Sequence, residues 1–138
     1  MSLEENKALV RKLYIESING KDKAILDQIM SADVQSDTAF PDPGGLAGYK
    51  QVFDEVIGAF PDYEIRIEEE IAEGDQVVTR YTARGTHEGD FLGMAPTGRR
   101  IELKGIDINR VSEGKIVEHS SEASVGVLLL ELGFAPPS

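Results

Sequence analysis

The sequence predicts an α+β fold with helices laid on one face of an antiparallel sheet. Two observations carry that prediction. Apolar residues recur at helical spacing as far as Phe60, and alternation with period two replaces that pattern after Pro61. The strand-like segments then follow one another through turn-forming residues with no helical pattern between the first and the last of them. Helices first and strands afterwards favour this arrangement over a doubly wound α/β sheet. At 138 residues the chain reads as one domain spanning 1–138, long enough to bury a core without disulfides or a structural metal.

The elements follow in order. Ser2 and Glu5 make an S-x-x-E capping box, and Leu9, Val10, Leu13, Tyr14 and Ile18 form a stripe that Asn19–Gly20 ends, so a first helix is expected over about 3–18. A shorter helix begins near Asp22, with Ile25, Leu26 and Ile29 inward. Residues 31–45 are rich in turn formers, and an extended piece is expected around Val34–Thr38 before the loop through Pro41 and Pro43. A third helix runs from about Leu46 to Phe60 with Tyr49, Val52, Phe53, Val56, Ile57 and Phe60 on one face, and Pro61 stops it. Strands are expected from Tyr63, from Val77 to His87, from Arg100 to Val111 and from Lys115 to about Ala123. Glu73–Gly74–Asp75 and Ser112–Glu113–Gly114 are turns, 88–98 is a glycine-rich loop, and a short apolar helix covers about Val125–Leu132.

Composition excludes several classes. The formal net charge is −11 and the basic doublets Arg11–Lys12 and Arg99–Arg100 are flanked by acids, so no basic stripe exists for nucleic acid. No apolar run approaches the roughly 20 residues of a membrane span. The N-terminal segment is charged and periodic rather than signal-like, and a cytoplasmic location is expected. There is no cysteine, hence no thiolate chemistry. No HxH, HExxH or EF-hand spacing points to a metal, no GxGxxG to a dinucleotide, and no G-x-S-x-G to a nucleophilic serine.

Chemistry is suggested by the last two strands. In ELKGIDINRV, Leu103, Gly105, Asp107, Asn109 and Val111 share one face, and Glu102, Lys104, Ile106, Ile108 and Arg110 the other. Neither face is cleanly apolar. The face with Asp107 and Asn109 is either solvated or lines a half-polar pocket in which a few polar groups orient a ligand. In the next strand Val117, His119, Ser121 and Ala123 share a face, opposite Ile116, Glu118, Ser120 and Glu122. If the turn at 112–114 pairs the two strands, Asp107 and His119 can be cross-strand neighbours, and a carboxylate beside an imidazole fixes its tautomer. His87 reads as a strand-end residue that hydrogen-bonds the loop following it. Tyr14, Phe53, Ile57, Tyr81 and Phe91 are candidates for a pocket wall or for plain core, and Asp37 for the pocket mouth or a turn.

ENKALVRKLY, the helix ending at AFPD, RYTARGTHEGDFLGMAPTGRR, GIDINRVSEGKIVEH and the closing LLLELG together resemble the SnoaL-like polyketide cyclase family of the NTF2-like superfamily, over essentially the whole chain. The resemblance implies a cone-shaped α+β barrel of curved sheet over about three helices, usually a homodimer, with an apolar pocket for a small molecule. It also implies aldol ring closure with no metal and no organic cofactor, an Asp on the last strand acting as acid/base and a His on the preceding strand assisting. Those two positions are Ser121 and Asp107 here, and Ser120 and Ser124 also stand where acids are common. Three readings follow. Asp107 takes over the acid/base role with His119 as partner and Tyr81 or Asn109 as donor to the enolate oxygen. Alternatively the protein binds a small molecule without transforming it. A third reading is an epoxide-hydrolase-like water addition using Asp107, Asp37 and Arg80 or Arg110, which strand parity opposes for Arg110.

Overall fold

A computed structural model describes residues 2–37 and 40–133. The fold is α+β, with one curved, unclosed sheet of five strands in the order β1-β5-β4-β3-β2. The strands are β1 (Met30–Gln35), β2 (Glu64–Glu73), β3 (Gln76–Thr86), β4 (Arg100–Ser112) and β5 (Lys115–Ala123); the helices are α1 (Leu3–Lys12), α2 (Ile25–Ile29), α3 (Gly45–Ala59) and α4 (Val125–Glu131).

The capping box forms as its spacing demands. Glu5 N donates to Ser2 Oγ at 3.1 Å and Ser2 N donates to Glu5 Oε1 at 3.0 Å, which satisfies two of the free donors of the first turn. The expected first helix over 3–18 is two segments. After Lys12 the bonding widens to i→i+5, and Leu13–Ile18 is a π-helical stretch, with Asn19 N donating to Tyr14 O. Such stretches are rare and re-aim the side chains on them; here Leu13, Tyr14 and Ser17 point inward.

The strand after α2 starts earlier than its composition suggests, at Met30 directly from the helix, and it pairs parallel with β5 rather than antiparallel. The expected span Val34–Thr38 misplaces it; of that span Thr38, like the Pro-Pro tail, lies outside the described residues. The misplacement arises because Met30 and Val34 are the buried positions of β1 and the residues between them are half-buried or exposed, so the apolar signal is sparse.

Two bulges re-set the faces of the sheet. Between Ile67 and Glu69 the β2 register slips by one residue, so Ile71 turns to solvent and Glu70 turns inward, where Arg11 Nε meets its Oε1 at 2.8 Å. In β5 the register slips between Ile116 and Glu118, opposite Val111 and Arg110. Ile116 therefore points inward and is fully buried, on the same side as His119, against the strict alternation read from the sequence.

The core lies between the sheet and α1–α3, and includes Val10, Leu13, Leu26, Ile29, Val77, Ala83 and Ile116. On β4 the mixed face is the inner one: Ile101, Leu103, Gly105, Asp107, Asn109 and Val111 are all buried. Ile106 and Ile108 are on the other side, 46% and 41% exposed. No helix among the described residues is long and apolar enough to cross a membrane.

Candidate functional site

Between α3, the π-helical stretch and the inner face of the sheet lies a cavity of about 450 Å³. Its apolar wall is the face of α3 built by Tyr49, Val52, Phe53, Val56 and Ile57, positions that i, i+3, i+4, i+7 and i+8 spacing puts on one side. Tyr63, Ile65, Tyr81, Leu103 and Ala123 close it from the sheet, Ile18 from the first helix, Ser36 and Phe40 from the loop before α3, and Val125 from α4. All four tyrosines of the chain line this space.

The polar side chains converge at one corner. Asp107 is 4% exposed, His119 7%, and Asn109 and Tyr14 are buried behind or beside them. Tyr14 Oη lies 2.7 Å from Asp107 Oδ2, Asn109 Nδ2 3.3 Å from Tyr14 Oη, and His119 Nδ1 2.7 Å from Asn109 Oδ1. The direction of every bond follows from chemistry. A carboxylate only accepts, so Tyr14 donates to it. The Tyr14 oxygen then accepts from the Asn109 amide nitrogen, which turns Asn109 Oδ1 toward His119. That oxygen only accepts, so His119 Nδ1 carries the proton and Nε2 carries the lone pair. The chain of donors ends on Asp107, a lining residue of the cavity whose Oδ1 is buried and has no hydrogen-bond partner.

Electrostatics agree with this protonation pattern. Burial pushes His119 below its ordinary value of 6.5, and the charges of Asp107 and Asp37 oppose that without reversing it, so the ring is neutral at pH 7. Burial first, with the Asp107 charge adding in each case, pushes all four phenols above their ordinary value of 10. For Tyr81 a hydrogen bond with the Ser121 side chain works in the opposite sense. The ring of Tyr49 stands edge-on to His119, with centroids 5.4 Å apart and planes at 80°.

The structure brings Tyr14, Phe53, Ile57, Tyr81, Asp107, His119 and Ser121 to one cavity. Three expectations need correction. Asn109 is fully buried behind the wall, with Nδ2 turned to Tyr14 and Oδ1 to His119, so it is out of reach of a ligand in the cavity. Phe91 packs on Phe60 at 5.2 Å in the loop after β3, away from the cavity; the reversal of that loop, bridged between Phe91 and Met94, takes it there. Asp37 is exposed and not part of the wall, although the adjacent Ser36 is. The pairing is also shifted by two residues. Asp107 faces Ser121 and Asn109 faces His119, because Ser112 pairs with Lys115 and the bulge then adds a residue to β5. Asp107 and His119 therefore communicate through Asn109 and Tyr14 rather than by direct contact.

His87 does what its position suggests. Thr97 N donates to its Nδ1 at 3.3 Å, and the Thr97 hydroxyl lies 3.0 Å from the same nitrogen, so the imidazole clasps the 88–98 loop. Sequence reasoning passed over Tyr49 and Tyr63 as site residues. Tyr49 could have been found by its membership of the same helix face as Phe53 and Ile57. Among the described residues no cluster of three or more His, Asp or Glu side chains could hold a metal ion.

The model of the SnoaL-like polyketide cyclase family matches residues 8–125. The chain belongs to that family. Solved structures agree with the assignment. AclR from Streptomyces galilaeus, described as a candidate hydroxylase, is 30% identical, with 99% of this chain and 89% of that one covered and a TM-score of 0.85. IdmH from Streptomyces antibioticus, described as a candidate polyketide cyclase, is 30% identical over 94% of this chain and 99% of its own, with a TM-score of 0.79. TsrD from Streptomyces laurentii shares the fold at a TM-score of 0.87 with 23% identity, covering 96% and 98% of the two chains. No curated protein matches. Within this SnoaL-like domain, the strand position facing Asp107 is Ser121, so among the described residues the carboxyl group in the cavity wall comes from β4 and not from β5.

Proposed function

We propose that this SnoaL-like protein is a cofactor-independent lyase or isomerase of the polyketide cyclase type, with Asp107 as its base. The observation that supports this reading is the buried Oδ1 of Asp107, unpartnered in a wall of aromatic and aliphatic side chains. A positioned carboxylate in such surroundings suits removal of a proton from a carbon between carbonyl groups. In the proposed step Oδ1 takes that proton and the electron pair delocalises onto the carbonyl oxygen as an enolate. The enolate carbon then attacks a second carbonyl of the same molecule, and the resulting alkoxide takes back the proton held by Asp107, so the product is an isomer of the substrate and the carboxylate is restored. Tyr14 holds Oδ2 and so leaves Oδ1 as the reacting oxygen. His119, with its proton on Nδ1, offers a lone pair and no second donor; Tyr81 is the phenol that interacts with Ser121, the residue facing Asp107, and is the donor to the enolate oxygen.

Among the described residues the wall contains no Lys or Arg, and the one carboxylate there is Asp107. The ligand is accordingly a neutral, apolar, carbonyl-rich small molecule, since an anion would meet Asp107 with no compensating charge. The same feature tells against epoxide hydrolysis. Arg80 and Arg110 are on the outer face, in ion pairs with Glu69 and with Asp75 and Glu118, and Asp37 is outside the wall.

Deuterium incorporation from D₂O into the activated methylene of anthrone, read by mass spectrometry, tests proton abstraction without the natural substrate. The native protein is expected to accelerate it, and Asp107→Asn to reduce the rate about 10²- to 10⁴-fold, as loss of a general base does, while anthrone still raises the melting temperature of both. Binding without acceleration by the native protein would leave a non-catalytic carrier. Equal rates in the two proteins would remove Asp107 from the chemistry. Because AclR is described as a candidate hydroxylase, the fate of the enolate is read separately: an isomeric product supports ring closure, and a gained oxygen atom supports hydroxylation.

A further inference from the structure

β4 is the central strand beside the acid/base corner, and it carries one glycine, Gly105, in its middle. A glycine inside a strand weakens it by about 0.5–1 kcal/mol relative to alanine and marks a close approach by another group. Backbone conformation does not require this one, because Gly105 is not among the positive-φ glycines, in contrast with Gly74 and Gly114 in the turns. Space requires it. Gly105 is the Cα partner of Tyr81 on β3. A Cβ at position 105 would lie 2.4 Å from Tyr81 Oη, 2.5 Å from Cζ and 2.9 Å from Cε1. The phenol end of Tyr81 therefore lies directly on the bare backbone of β4. From there it interacts with the side chain of Ser121 on β5, which faces Asp107. The Tyr14 ring, 6.0 Å away and tilted 33°, packs beside it.

We infer that Gly105 is a positioning residue: by omitting a side chain it lets Tyr81 lie flat across β4, so that a hydroxyl from β3 reaches the corner formed by Asp107 on the next strand and Ser121 on the strand beyond. This rests on the proposed proton abstraction, in which Tyr81 is the donor to the enolate oxygen. The atoms a new methyl would strike belong to the far end of a side chain, so the ring swings aside and the fold survives. Gly105→Ala should thus separate placement of the hydroxyl from integrity of the protein.

The test is a double-mutant cycle on anthrone deuterium exchange with Gly105→Ala and Tyr81→Phe, together with the Cζ resonances of the four tyrosines in ¹³C-tyrosine-labelled protein. Gly105→Ala is expected to slow exchange about ten- to hundredfold, with the anthrone concentration at half-saturation changed less than about threefold, as for loss of one oriented donor. On the Tyr81→Phe background it is expected to cost nothing further. It should also shift one tyrosine resonance strongly, the one missing from Tyr81→Phe. Full activity in Gly105→Ala, an equal loss on both backgrounds, or an unmoved Tyr81 resonance would each overturn the inference. If Gly105→Ala does not fold, Gly105→Ala combined with Tyr81→Ala restores the space. A folded double variant then supports the steric account, and an unfolded one overturns it. Absence of exchange in the native protein would refute the catalytic reading alone, since the resonance of Tyr81 reports its placement independently.

Discussion

Tyr14 is the residue on which the polar corner turns. Its hydroxyl donates to Asp107 and accepts from Asn109, so Tyr14→Phe strands two buried groups at once. An unsatisfied buried partner costs about 1–3 kcal/mol. Tyr14→Phe is expected to lose stability in that range in urea unfolding, whereas Tyr49→Phe, whose ring contact with His119 survives the change, should lose much less. A near-zero cost for Tyr14→Phe would contradict the two hydrogen bonds of its hydroxyl. His119 adds a pH dependence with a definite sign. Its pKa in the folded protein lies below the unfolded value near 6.5, so the unfolded chain binds the proton more readily. The stability that the neutral ring contributes is therefore complete above about pH 6.5 and is lost as the pH falls through that value toward the folded pKa. His119→Gln should flatten that part of the stability profile; an unchanged slope between the two proteins would contradict it. The four phenols act at the other end. Raised above 10 by burial, they make stability decline as the pH rises past 10, where the unfolded chain releases their protons first.

At the scale of elements, the joint between α3 and the loop before it sets one side of the cavity. Gly48 sits within α3, where alanine would ordinarily be favoured by about 1 kcal/mol. A Cβ there would lie 2.5 Å from Pro41 O and 2.8 Å from Phe40 Cβ, so the loop that carries Phe40 to the cavity rests on the bare helix backbone. A backbone carbonyl cannot yield as a ring tip can, and overpacking of this kind costs about 1–3 kcal/mol. Gly48→Ala is therefore expected to destabilise in denaturant titrations, against its helix propensity; a gain in stability would show that the loop moves freely. The helices themselves were legible in the sequence because each buries a stripe with period 3.6, and α3 came with its stop at Pro61 and most of its pocket-lining face. The two bulges were not legible. Ile71 and Ile116 obey alternation as well as their neighbours do, and only pairing with β3 and β4 shows where a residue is left over. The same limit applies to Asp107 and His119, whose relation depends on register.

For the molecule as a whole, the outer face of the sheet is the unusual surface. In a chain of net charge −11 it carries Arg66, Arg80, Arg84 and Arg110 in ion pairs with glutamates and Asp75, and between them Ile106 and Ile108 are exposed. Near-neutral local charge lets two copies approach here despite their net repulsion, and the isoleucines supply apolar area to bury. Sedimentation is expected to give a homodimer, and Ile106→Lys with Ile108→Lys a folded monomer; a native monomer at micromolar concentration would refute this.

By itself the sequence determined the helical and strand periodicities, the order of the elements, the turns that end them and the residue types available for chemistry, because these depend on neighbours within a few positions along the chain. It therefore carried the α+β fold and the family likeness. The tertiary structure decided which face of β4 is inside, that Tyr14 and Asn109 stand between Asp107 and His119, that Phe91, Asp37 and Asn109 are not in the wall, and that Tyr81 crosses Gly105. Those facts depend on strand register and on residues about 90 positions apart, such as Tyr14 and Asp107, being packed together. A face that mixes Leu, Gly, Asp, Asn and Val has no hydrophobic bias strong enough to declare its own orientation; burial against α3 and the π-helical stretch supplies it.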